Sequence, residues 1–175
     1  MAQFVREAAM TGVIFGFFGM TWFGWAQEAP PKRARLALAA GSVASIALAI
    51  FAGVLSWRHW NDGSAINAET GPRFGVVVAI EILAAGVGAV VLSARRRPDL
   101  TAPWVAFVVG VHFIPLAVLL EYPLLYVAAA LVALGAVASV PIAAWRKLTV
   151  SYVTGAMTGT ALLICGTISV ALALA

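Results

Sequence analysis

Charge is what this chain has least of. Charged residues make up 10% of its 175 positions, against about 25% in an ordinary soluble domain, and its mean hydropathy is +1.00. Those values exclude a water-soluble globular fold. Cysteine is scarcer still. Cys165 stands alone, so no intrachain disulfide is available, and its apolar setting reads as that of a small buried hydrophobe. The two histidines, His59 and His112, come without an H-E-x-x-H or C-x-x-C spacing, so no metal site is expected. Phosphate-loop, dinucleotide and G-x-S-x-G fingerprints are missing as well, and no cofactor is expected. The net charge of +4 resides in short polar links beside apolar runs. Topology and anionic lipid account for such cations there, and nucleic acid does not.

What the chain does have is apolar length. A membrane span needs about 20 mainly apolar residues, and six runs meet that need, at 8–25, 36–57, 74–94, 100–120, 124–145 and 150–174. The expected fold is an all-α integral membrane protein, a single six-helix transmembrane domain over 1–175 with short loops. The first run does not read as a signal peptide. Glu7 offsets Arg6, and Trp22 and Trp25 fall where small residues should precede cleavage, so a retained span is expected. No internal repeat stands out.

Orientation follows from the cations. Lys32, Arg33, Arg35, Arg95, Arg96, Arg97, Arg146 and Lys147 occupy the links after runs one, three and five. Only Arg6, Arg58 and Arg73 occupy the opposite side. This bias predicts both termini outside (N-out/C-out) in the cytoplasmic membrane. Trp22, Trp25, Trp57, Trp60, Trp104 and Trp145 lie at run ends, as an interfacial belt requires. Gly12 with Gly16, and Gly155 with Gly159, form G-x-x-x-G pairs suited to close helix approach, including a homo-oligomer contact.

Two ionisable side chains interrupt the apolar runs. Glu81 sits in the third and His112 in the fourth, and such residues within spans are functional candidates by default. At 1.5 Å per residue Glu81 lies about 10 Å below the outer edge, and His112 about 12 Å below it in a 30 Å core. The two therefore share a depth on antiparallel neighbours and are expected to meet. A carboxylate there must pair, bind a cation or carry a proton. Pro115 deprives the Val111 carbonyl of its helical partner and is expected to open space beside His112. Glu7 and Glu121 fall towards the same side and join the candidate proton- or ligand-binding set. Phe18, Trp22, Thr154 and Thr158 are candidates for cavity lining. His59 and Trp60, in the polar stretch 58–73, are candidates for an outer lid.

Three functions fit these residues. The favoured one is a binder or carrier of a small amphipathic or polar solute at an outer-half site built on Glu81 and His112, with membrane lipids as surroundings. The second is an integral membrane enzyme using the pair as acid and base on a lipid or isoprenoid-like substrate. The third is an accessory subunit in which the pair only fastens two helices. A hydrated, outward-opening cavity lined by Glu81 would favour the first, a closed apolar tunnel faced by both side chains the second, and the absence of a cavity the third.

Overall fold

The computed structural model describes residues 5–175. Six long helices account for most of them: α1 (Val5–Ala26), α2 (Arg35–Arg58), α3 (Thr70–Ala94), α4 (Thr101–Leu119), α5 (Leu124–Arg146) and α6 (Val150–Leu174). All six are long and apolar enough to cross a membrane, and no strand occurs among the described residues. The chain thus has the make-up of a multi-pass membrane protein.

Helix α6 is the hub, packing on α1, α2, α4 and α5. Helix α2 lies outside α1, and α3 packs chiefly on α4. Small residues allow the close approaches. An added Cβ on Gly16 would stand 2.7 Å from the Ala49 nitrogen and the Ser45 carbonyl of α2, and one on Gly110 would lie 2.8 Å from the Ala133 Cβ of α5. Both G-x-x-x-G pairs are occupied inside the chain. Gly12 meets Ala52 and Val170, while Gly155 and Gly159 receive Trp22, Ala26 and Phe23. The sequence offered these pairs as homo-oligomer faces, but intramolecular packing consumes them.

Buried hydroxyls cross-link this core. Ser169 Oγ donates to the Ala8 carbonyl (2.7 Å), and the Tyr122 hydroxyl in turn donates to Ser169 Oγ (2.8 Å). One serine therefore joins α1, α6 and the α4–α5 turn. Thr154 Oγ1 donates to Ser139 Oγ at 2.8 Å, tying α6 to α5.

Helix α3 begins four residues before the apolar run does. Asn67 Oδ1 accepts from the Glu69 and Thr70 amides (2.8 and 3.0 Å), while Thr70 Oγ1 accepts from the Asn67 amide (2.9 Å) and donates to the Ala65 carbonyl (2.6 Å). These bonds organise the first turn, where Pro72 lacks no needed N–H. Helix α3 contains no buried residue. It is held to α4 by Trp104, whose indole N–H donates to the Ala84 carbonyl (3.0 Å) and whose ring occupies the space that a Gly88 side chain would need.

The tryptophans divide between two roles. Trp57 and Trp145 are exposed at helix ends, with the Arg146 guanidinium 4.4 Å over the Trp145 ring. Trp22 is instead buried and stacked on Trp25, with ring centroids 5.2 Å apart.

Candidate functional site

Because α3 leans on α4 and α1 leans on α6, a cleft separates α1 from α3. It encloses about 410 Å³. Its back wall is the face of α4 carrying Val109, His112, Phe113 and Leu116, with Leu125 and Leu162 contributed by α5 and α6. Phe15 and Phe113 close the deep side, their ring centroids 5.2 Å apart. Ile14 and Phe18 on α1 and Ile82 on α3 remain exposed along the mouth. The cleft therefore opens sideways, between helices.

Glu81 and His112 meet on its wall. Nε2 of His112 lies 3.4 Å from Oε2 of Glu81, and the two side chains are 12% and 19% exposed, His112 first. The other histidine nitrogen, Nδ1, lies 2.7 Å from the Val109 carbonyl. A carbonyl can only accept, so Nδ1 carries a proton. The Phe113 ring, 4.6 Å from the imidazole, holds it from behind. Apart from Glu81 and His112 the lining contains no titratable side chain.

Phe18 and Trp22 line the cleft. The remaining sequence candidates do not. Glu7 is buried, but it faces the α2–α3 loop, where Oε1 accepts from Ser64 Oγ (2.7 Å) and the Ala65 amide (3.1 Å). Its Oε2 has no partner among the described residues. Glu121 is exposed and in the left-handed conformation (φ 48°), ending α4 while the Tyr122 amide closes onto the Ala117 carbonyl at 3.0 Å. It forms a turn and stands outside the site. Thr154 is spent on Ser139, and Thr158 is buried away from the lining.

The expected lid is also differently employed. His59 Nδ1 lies 2.6 Å from Asp62 Oδ2, while Arg6 donates to the Trp60 carbonyl (2.9 Å) and stacks 4.7 Å over its ring. The loop is fastened to the start of α1, and neither His59 nor Trp60 lines the cleft. Pro115 is exposed and also outside the lining. His112 Nδ1, close to that stretch, serves the Val109 carbonyl. No cluster of three or more His, Cys, Asp or Glu side chains able to hold a metal occurs among the described residues.

Sequence reasoning missed Phe74, Phe113 and Ile82 as lining residues. Their spacing to Glu81 and His112 carried the signal, since Phe74, Val78, Glu81 and Ile82 share one helical face. No protein-family model, curated protein or solved structure matches this chain.

Proposed function

We propose that this chain is a membrane-embedded binder or carrier of an amphipathic molecule. The apolar part of the ligand lies in the cleft between α1, α3 and α4, and its polar end docks at Glu81 and His112. The observation carrying this reading is the composition of the cleft wall, apolar and aromatic apart from one ionisable pair and Thr11, whose hydroxyl is spent on the Glu7 carbonyl of its own helix. A small, wholly polar solute would leave most of that wall unsatisfied, so the amphipathic alternative is preferred. The lateral mouth suits entry from the lipid layer.

The chain is read as lying in the cytoplasmic membrane with both termini outside, on the bias of eight cations against three. The pair then sits in the outer half, and lipids cover the exposed apolar helix faces. Cysteines introduced at Asp62 and at Arg96 test this orientation with an impermeant thiol reagent, because the native Cys165 is buried. The Asp62 site should react from outside and the Arg96 site only after permeabilisation.

The function is tested by extracting the purified chain and identifying bound molecules by mass spectrometry. An amphipathic compound should accompany the wild type and be depleted in Glu81→Gln. Equal lipid profiles for both proteins would remove the site. An acid–base enzyme working through the same pair would instead release a chemically altered form of that compound.

A further inference from the structure

The pair on the cleft wall also specifies the charge of what it holds. Nδ1 of His112 is committed as a donor to the Val109 carbonyl at 2.7 Å. If the imidazole is neutral, Nε2 presents a lone pair, and at 3.4 Å it faces a carboxylate oxygen of Glu81. Two acceptors so placed in apolar surroundings repel each other. One proton makes the contact favourable, whether it resides on the carboxyl or on the imidazole, and in either form the pair is neutral overall. Nothing else in the lining can adjust the balance. The parts of α1, α5 and α6 that face the cleft contribute no titratable or charged group, and α3 and α4 contribute only Glu81 and His112.

The free bonding capacity is on the acceptor side. Glu81 makes no hydrogen bond to any other described group, whereas His112 spends Nδ1 on its own helix. The cleft that holds this carboxyl is lined by aromatic rings from three helices: Phe15, Phe18 and Trp22 on α1, Phe74 on α3, and Phe113 on α4. A carboxylate in an aromatic-lined cleft is the chemistry that recognises an ammonium group.

We infer that the cleft takes amphipathic ammonium compounds and exchanges each for the single proton held between Glu81 and His112. This inference rests on the cleft being a binding site for amphiphiles. In the exchange the cation enters against the Glu81 carboxylate, His112 is left neutral with its proton on Nδ1, and one proton passes to water. The site is neutral before and after, which an apolar wall requires. An anionic headgroup needs the reverse, uptake of one proton so that a protonated Glu81 and an imidazolium face it. An uncharged headgroup needs no exchange.

Decyltrimethylammonium is the appropriate probe, because it has no titratable proton of its own. The purified full-length chain in zwitterionic lipid nanodiscs is titrated with it by calorimetry in two buffers of different ionisation enthalpy, with empty nanodiscs as reference. The expected result is release of about one proton per bound cation and affinity at least about tenfold above that for decanol, the size of one charge-assisted contact. Glu81→Gln should abolish the release, and Glu81→Asp, which keeps a carboxylate, should retain it. Binding of the cation without proton release, or decanol binding as tightly, overturns the exchange while leaving an amphiphile site in place. Absence of binding by the cation, by decanol and by decanoate alike removes the amphiphile site itself. The wild-type proton count decides the question even if a variant fails to fold.

Discussion

Glu81 on α3 and His112 on α4 stand 3.4 Å apart, on neighbouring antiparallel helices, as the two titratable side chains of a largely apolar cleft. Each is the other's compensation. Removing one strands the other among hydrocarbon, whereas removing both leaves nothing to compensate.

The pair should therefore behave non-additively. His112→Leu is expected to destabilise the chain by about 1–3 kcal/mol, because the Glu81 carboxyl loses its partner. The double variant Glu81→Leu with His112→Leu should be at least as stable as that single one. Thermal unfolding in a mild detergent reads the comparison, and a strictly additive double variant would show that the contact carries no energy.

Glycines should divide by their surroundings. Gly16→Ala places a methyl against the α2 backbone, with the Ala49 nitrogen and Ser45 carbonyl 2.7 Å away, and should cost about 1–3 kcal/mol as overpacking. Gly86 has nothing within 4 Å of an added Cβ, so Gly86→Ala should be neutral or slightly stabilising, since alanine is the better helix former. Unfolding midpoints of the two variants give the test.

Tyr122 supplies a pH signature outside the spans. Burial pushes its phenol above the ordinary value. The folded chain thus holds the phenolic proton more tightly than the unfolded one does. That contribution is complete below about pH 10, the unfolded value, and is lost as pH climbs from there through the folded value. Tyr122→Phe should lower stability at neutral pH by about 0.5–1.5 kcal/mol and flatten the decline above pH 10. An unchanged alkaline limb would assign that decline to other groups.

Glu7 should govern the α2–α3 loop and leave the cleft alone. Glu7→Ala removes the acceptor for Ser64 Oγ and the Ala65 amide. Hydrogen exchange at Ala65 should accelerate by about tenfold or more, corresponding to a loss of about 1–3 kcal/mol of local protection. Ligand binding should not change, since the loop does not line the cleft. A loss of binding in this variant would restore the loop as a lid.

Most of the architecture was legible in the sequence because lipid-spanning helices declare themselves through composition and length. Depth arithmetic along antiparallel helices also brought Glu81 and His112 to one level, since rise per residue is nearly constant. Helix neighbours were not legible. Glu7 and Glu121 lie at helix ends on the same side as the site, yet their roles depend on tertiary partners, Ser64 for one and a left-handed turn for the other. Likewise Gly12 and Gly16 announce a close helix contact without saying whether the neighbour belongs to the same chain. The start of α3 at Thr70 was hidden because Asn67, two residues ahead of the N-cap Glu69, organises it through side-chain bonds within a polar stretch that hydropathy reads as loop.

The central claim is that the cleft between α1, α3 and α4 holds an amphipathic ligand with its polar end at Glu81. Photolabelling tests it most directly, using a decyl ammonium that carries a diazirine in its chain, with peptide mapping of the labelled protein. Label concentrated on Phe18, Phe74 and Ile82, and lost in Glu81→Gln, is the predicted result. Label spread evenly over outward-facing positions such as Ile50 on α2 and Leu134 on α5, and indifferent to Glu81, would contradict it.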